Sequence, residues 1–233
     1  MNKTQNFDYT GKDNLDIMSL AENYNDFLTY LVNHHAPKSG SILDFGAGTG
    51  FFAKRIATPE RTVLCVEPDT QQAEIISSTG LQAYGQSQDL SDESVEFSYS
   101  LNVLEHIEDD TAAIKEIHRV LKPKSTCVIY VPAMPMLFSS MDEKVEHYRR
   151  YTHKELIHKL EASGFDVLDC RYADILGVFA TLLYKLVGSK SGDVSRSGLV
   201  AYDRYAFPLS RALDRFTHRV AGKNLLAIAR KPE

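Results

Sequence analysis

The chain has 233 residues, with 26 basic against 31 acidic side chains and 43% hydrophobic residues. A net charge of −5 and this apolar content exclude an intrinsically disordered chain, and the length suffices to bury a large core. No run reaches the roughly 20 apolar residues of a membrane-spanning helix, and the opening MNKTQNFDYTGKDNLD is too polar for a secretion signal, so a cytoplasmic location is expected.

The charge is unevenly spread. Residues 1–143 carry 10 basic and 21 acidic side chains, whereas residues 144–233 carry 16 and 10. A basic C-terminal part suits an anionic substrate or an anionic surface, and equally a solvated helical face. Cys65, Cys127 and Cys170 lack metal-site spacing and fall in apolar stretches, which predicts buried free thiols.

Leu15 to His35 places Leu20, Tyr24, Phe27, Leu28, Leu31 and Val32 at helical spacing, predicting an amphipathic helix that covers an edge or forms a lid. Short apolar runs then alternate with helical stretches. SILDF (41–45), TVLCVE (62–67), VEFSYSL (95–101) and TCVIYV (126–131) read as strands buried on both faces, with LQAYG (81–85) as a further short strand. FFAKRIA (51–57), TQQAEIISSTG (70–80) and DTAAIKEIHRVLKP (110–123) read as the helices between them, the last with Pro123 as its stop. Thr152 to Ser163 carries a capping-box signature at Thr152 and Glu155, and FDVLDCRYAD (165–174) reads as a strand. The apolar stretch 175–188 is predicted helical, as is 201–222 beyond Pro208, with NLLAIARKP (224–232) as a closing strand. Gly188 to Gly198 reads as a Gly/Ser-rich loop. Interleaved strands and helices predict a parallel α/β sheet with right-handed crossovers.

The most informative segment is ILDFGAGTGFFAKRIA (42–57): a strand, a turn through Gly46, Ala47, Gly48, Thr49 and Gly50, then a helix. Such a turn predicts a nucleotide-like ligand. Position 51 is Phe51 where a dinucleotide fingerprint needs glycine, and no Lys-Ser/Thr pair follows, so a pyrophosphate cradle and a phosphate-binding loop are both disfavoured. Asp44 at the strand tip would repel a pyrophosphate and welcome a cationic ligand. Glu67, with Pro68 after it, ends the second strand and can accept from both hydroxyls of a ribose. Asp89 and Leu90 are placed to read an adenine edge, although a plain turn would look the same.

On these residues the chain resembles the class I methyltransferases that use S-adenosylmethionine. ILDFGAGTGFF resembles the glycine-rich loop, VLCVEPD the ribose-binding segment, QDL the adenine contact, SLNVLEHIED the segment after the fourth strand, and RVLKP the helix end before the fifth. The resemblance covers about residues 20–175; Lys124 and Ser125 stand where the family often has a glycine pair. It implies a Rossmann-like seven-stranded, mostly parallel sheet with an antiparallel last strand and helices on both faces. It also implies one domain made of an N-terminal helical cap (1–38), a cofactor core (39–131), substrate-side loops and helices (132–222) and a final strand (223–232). By resemblance Asp44, Gly46, Ala47, Gly48, Thr49 and Gly50 hold the methionine end, Glu67 and Pro68 the ribose, and Asp89 and Leu90 the adenine. Asn102 and Val103 would line the cofactor beside the sulfonium, with Tyr24 and Asn25 on a closing helix.

Methyl transfer from a sulfonium needs no metal to activate the donor, and no histidine pair shows metal-ligand spacing, so no metal is expected. A general base would help an oxygen acceptor, and His106 and His147 are the candidates beside the expected reaction centre. The cluster Tyr148, Arg149, Arg150, Tyr151 is expected to form the far wall of the pocket, an arginine forking on a carboxylate or phosphate of the acceptor; its alternative is an internal pairing with Asp142 or Glu143. The predicted activity is transfer of a methyl group to a small molecule, an oxygen of an anionic or sugar- or lipid-linked metabolite, yielding S-adenosylhomocysteine. A non-catalytic S-adenosylmethionine-binding sensor or partner subunit, and a nucleic-acid methyltransferase, are the alternatives. Net acidity and the absence of Trp argue against nucleic acid. The apolar helix from Ile175 could roof the site, join a homodimer or lie on a membrane, with Arg204, Arg211, Arg215 and Arg219 on one polar face; monomer and homodimer both remain open.

Overall fold

The computed structural model describes residues 18–187, 192–193 and 195–233. Leu15 to Ile17, with which the first predicted helix begins, and part of the Gly188–Gly198 stretch lie outside the described residues.

The strands are β1 (Gly40–Phe45), β2 (Arg61–Val66), β3 (Gln82–Tyr84), β4 (Val95–Leu101), β5 (Leu121–Pro132), β6 (Asp166–Ala173) and β7 (Asn224–Arg230). They form one sheet in the order β3-β2-β1-β4-β5-β7-β6. The pairs β1–β2, β1–β4, β2–β3 and β4–β5 are parallel, and β7 runs antiparallel between β5 and β6. This is the Rossmann-like seven-stranded sheet expected from the sequence. Order reverses between β1 and β4, so the crevice beyond their C-terminal ends is where an open α/β sheet binds its ligand.

The helices are α1 (Glu22–His35), α2 (Phe51–Ile56), α3 (Thr70–Ser78), α4 (Asp110–Val120), α5 (Ser140–Lys144), α6 (His153–Ala162), α7 (Ile175–Val187), α8 (Arg196–Ala201) and α9 (Phe207–Thr217). Two cores flank the sheet. One packs Ile114, Ile117, Leu156 and Leu160 of α4 and α6 on the inward side chains of β1, β4, β5 and β7. The other packs Phe27, Leu28, Leu31 and Val32 of α1, with Ile56, Ile76 and Phe207, on Ile42, Tyr99, Val128 and Tyr130. Alternate residues of β4 and β5 serve opposite cores, which is why these strands read as unbroken apolar runs.

Three expectations are corrected here. Helix α4 ends at Val120, three residues before Pro123, and the chain enters β5 directly. The helical region begins at Arg196, well before Pro208, and joins α9 through a π-helical turn at Tyr202–Ala206. Proline is harmless in the first turn of α9 because it lacks only an N–H with no obligatory intrahelical partner there. Of the four arginines expected on a polar face, Arg204, Arg215 and Arg219 are exposed, but the Arg211 guanidinium lies 3.5 Å from the Phe27 ring centre. The three cysteines are free, as expected, with Cys170 only half-buried.

Helix α1 is held from a distance. Its N-cap position is Ala21, whose side chain cannot accept a hydrogen bond. The buried Asp203 carboxylate does so instead, accepting from the backbone N–H of Asn23 at 3.0 Å and of Tyr24 at 2.9 Å. The π-helical turn thereby fixes where Tyr24 enters the sheet's C-terminal edge.

Candidate active site

The turn after β1 is shaped by its glycines. Gly46, Gly48 and Gly50 have φ of +82°, +56° and +74°. A Cβ on Gly46 would lie 2.3 Å from a methyl of Val103, so this glycine also lets the segment after β4 close against the turn. The amides of Gly46 and Ala47 donate to the Val66 carbonyl, and that of Gly48 donates to a Glu67 carboxylate oxygen at 2.7 Å. The second Glu67 oxygen accepts from the Asp69 amide at 3.0 Å. These bonds fix the turn against β2 and aim the Glu67 carboxylate, which keeps lone pairs for two hydroxyls.

Asp44 is buried at the foot of this turn, and its Oδ2 has no hydrogen-bond partner among the described residues. Burial pushes its carboxyl up to about 7, with the nearby Glu67 charge adding to the rise. A buried carboxyl with a free oxygen at the strand end that leads into a glycine turn fits the ammonium of an amino-acid-bearing ligand, and fits a pyrophosphate badly. Across the crevice, Asn102 adopts φ +55° at the end of β4 and donates from Nδ2 to the Tyr24 hydroxyl at 3.0 Å. Asn102 and Tyr24 thus form one wall, with Val103 beside them. Asn25 points elsewhere: it is buried and donates to the Met18 carbonyl at the start of α1.

The adenine segment is a 3₁₀ turn, Ser87–Asp89. Asp89 is exposed and accepts from the Gln86 amide group at 3.1 Å, while the Leu90 amide donates to the Ser87 carbonyl and its side chain is buried. Thr49 and Pro68 lie at the rim, Pro68 exposed.

Beyond Asn102 the chain turns through Leu104–His106, and here the sequence reading needs revision. The Arg150 guanidinium is buried and forks on Asp142, Nε to Oδ1 at 2.8 Å and Nη2 to Oδ2 at 3.0 Å. Arg149 pairs with Asp110 at 2.8 Å and donates to the Glu108 carbonyl at 2.7 Å. The buried Tyr151 hydroxyl donates to Asp110 at 2.7 Å. Both arginine forks are thus spent on internal carboxylates, so the cluster braces the loop to α4 and α5 instead of presenting a free anion clamp; only Tyr148 is exposed. The Arg150–Asp142 pair is the internal alternative that the sequence offered, whereas Asp110, 41 residues from Tyr151, gave no signal in the loop.

The same brace positions two histidines. His147 Nδ1 is 2.8 Å from Asp142 Oδ1, and the His106 and His147 ring centres are 4.5 Å apart. Burial works to raise the Asp142 pKa, but the His147 hydrogen bond and the Arg150 charge outweigh it and hold the carboxyl down at about 2. An ionised Asp142 accepts the Nδ1 proton and turns Nε2 of His147 toward Glu105, 3.9 Å away. Burial pushes His106 down to about 3, so it is neutral throughout the working range. Sequence reasoning missed Glu105, which is fully buried and pushed by that burial up to about 8. Its place directly before His106 in LEHIED is the signal the sequence carries. His118 on α4 and His35 on α1 are half-buried, and burial lowers both.

A seven-stranded sheet with β7 reversed, a glycine turn beside a buried carboxyl with one unpartnered oxygen, and an acid at the tip of β2 are the features that resemblance to the class I S-adenosylmethionine-dependent methyltransferases implies. Comparison with known proteins agrees. Residues 43–129 match the family model described as a methyltransferase domain. An uncharacterized methyltransferase of Mycobacterium leprae (strain TN) is 29% identical over 127 residues, 51% of this chain and 47% of that protein. The chain therefore spans about half the length of the curated relatives it matches first. Among solved structures, an S-adenosylmethionine-dependent, possible histamine N-methyltransferase of Thermotoga maritima superposes with TM-score 0.62 at 17% identity, covering 94% of this chain and 95% of that one. The [4+2]-cyclase SpnF superposes with TM-score 0.57 at 21% identity, covering 89% and 80%.

Proposed function

We propose that the protein transfers the methyl group of S-adenosylmethionine to an oxygen of a small, anionic or sugar- or lipid-linked acceptor. A cyclase shares the fold, so the fold alone does not assign the reaction. What carries the reading is the unpartnered Asp44 oxygen under the Gly46–Gly50 turn, opposite the Tyr24–Asn102 wall.

When bound, S-adenosylmethionine supplies an electrophilic methyl on a sulfonium. Asp44 pairs with the amino group, and the glycines admit the amino-acid backbone without side-chain interference. Glu67 accepts from the ribose hydroxyls, and Asp89 with Leu90 borders the adenine. Tyr24, Asn102 and Val103 wall the reacting end and exclude water. Catalysis is then chiefly alignment of acceptor and methyl, with one proton to manage. An acceptor oxygen that takes up the methyl would have to shed its proton. His147, held by Asp142, is the group that takes this proton, with the neutral His106 packed beside it. Tyr148, stacked near Arg149, is the exposed member of the 148–151 cluster and the one that can touch the acceptor.

A lipid-linked acceptor is favoured by the surface of the C-terminal helices. Phe179, Leu183 and Leu186 of α7 and Leu209 and Phe216 of α9 are exposed, next in sequence to the exposed Arg204, Arg215 and Arg219. The decisive assay is release of S-adenosylhomocysteine across a panel of hydroxylated acceptors, with and without phosphate or prenyl groups. Acceptor-dependent release supports transfer; tight binding of S-adenosylhomocysteine with no release on any acceptor would favour the sensor reading.

A further inference from the structure

Glu105, His106 and His147 each offer a ligand atom, and these atoms lie within 4.8 Å of one another. Ligand atoms of a four-coordinate cation held at about 2.1 Å are roughly 3.4 Å apart, so side-chain movements of about an ångström would close the set on one ion. Neither Glu105 oxygen has a hydrogen-bond partner among the described residues, although the residue is fully buried. A buried carboxyl with neither oxygen partnered is costly unless a donor or a cation sits against it. The residue facing it cannot fill that need in its neutral form. With Nδ1–H donated to Asp142, the neutral His147 ring turns a lone pair on Nε2 toward Glu105 at 3.9 Å. Two acceptors facing each other at that separation fit a shared cation. Asp142 completes the pattern: a carboxylate on the far nitrogen of a ligating histidine fixes tautomer and ring direction, and Arg150 holds that carboxylate by both oxygens.

We infer that Glu105, His106 and His147 form a binding site for a divalent transition cation of the Zn²⁺ type, with an open position for the acceptor oxygen. Two imidazoles and one carboxylate suit such ions and leave coordination incomplete. The set sits one turn beyond Asn102, so its place beside the reaction centre rests on the methyltransferase reading, whereas binding of the ion does not. At the open position a hydroxyl would lose its proton more readily, the proton passing to solvent water, while the two ligating histidines would hold the ion in place of acting as bases. The expectation of no metal rested on the reactivity of the sulfonium donor and on spacing along the chain, and spacing cannot show that residues 105 and 147 meet.

The test is titration of the untagged, chelator-treated full chain with Co²⁺ and Zn²⁺. Binding is followed by the visible ligand-field absorption of Co²⁺ and by calorimetry. We expect one equivalent per chain, weakened at least tenfold in Glu105→Gln and in His147→Gln and unchanged in His35→Gln. Each variant is checked by calorimetry with S-adenosylhomocysteine, whose site these residues do not form. Failure of the wild type to bind one equivalent, or unchanged binding in both site variants, overturns the inference. Should the variants lose S-adenosylhomocysteine binding through misfolding, X-ray absorption on the Zn²⁺-loaded wild type decides. Two imidazoles in the zinc shell support the site, and none overturns it. Stoichiometric metal binding without S-adenosylhomocysteine release would sink methyl transfer and leave the metal site standing.

Discussion

Asp44 is a carboxyl that the free protein keeps partly protonated near neutrality, because burial raises it to about 7. An ammonium needs the ionised form. Below pH 7 the protein must therefore lose a proton from Asp44 when an amino-acid-bearing ligand binds, and above it no such loss is required. The sign follows: affinity for S-adenosylhomocysteine rises with pH up to about 7 and then levels off. From pH 5.5 to 7.5 the linkage amounts to more than a tenfold gain, on the order of one pH unit of affinity per unit below the shifted value. Calorimetry in buffers of different ionisation heat should register proton release at the lower pH. Asp44→Asn, with no proton to release, should bind more weakly and lose this dependence. A flat profile in the wild type would mean that Asp44 does not meet the ligand's ammonium.

At the scale of elements, much of the frame was legible because each strand is an apolar run ended by polar or glycine residues. β4 matches its sequence reading at both ends, and α6 matches to the residue inside its capping box. What was not legible depends on partners distant in sequence. HYRRYT left open both an anion clamp and the internal Asp142 pairing that Arg150 makes, Asp110 as the partner of Arg149 and Tyr151 gave no sign, and Asp203 as the cap of α1 is 179 residues from Tyr24. The start of α1 was unreadable for the same reason: Ala21 carries no capping signal of its own. The π turn was hidden because Pro208 reads as a helix start, although the helical path already runs through Tyr202. Asp203 therefore links two ends of the chain. Asp203→Ala should cost about 1–3 kcal/mol in urea unfolding, since it removes a charged acceptor from two helix N–H groups. It should also weaken S-adenosylhomocysteine binding, because Tyr24 loses its anchor while Asn102 keeps its own. A stability loss with unaltered cofactor affinity would show that α1 is not part of the cofactor site.

The whole molecule is electrically lopsided, net acidic through residue 143 and basic after it. The basic part also carries much of the exposed apolar surface: Leu186 is 81% exposed, Phe216 83% and Val220 78%. Arg215 and Arg219 flank Phe216 and Val220 along the end of α9, so large apolar side chains and cations occupy one region instead of alternating with acids. No helix among the described residues is long and apolar enough to cross a membrane. Such a surface suits a helix lying in the headgroup region of an anionic bilayer, where apolar side chains enter the acyl boundary and each nearby arginine contributes about 1 kcal/mol. A lipid-linked acceptor would then be reached from the surface in which it resides. Co-sedimentation with vesicles should show binding to phosphatidylglycerol-containing bilayers, weak binding to neutral ones, and release by salt. Replacing Arg215 and Arg219 together with alanine should lower partitioning by about 30-fold, the equivalent of about 2 kcal/mol, and leave S-adenosylhomocysteine affinity unchanged. Phe216→Ser should weaken partitioning through the apolar contribution without altering its salt dependence. If the protein stays in the supernatant at low salt and sediments as a homodimer in analytical ultracentrifugation, the face is a subunit contact and the acceptor need not be membrane-borne.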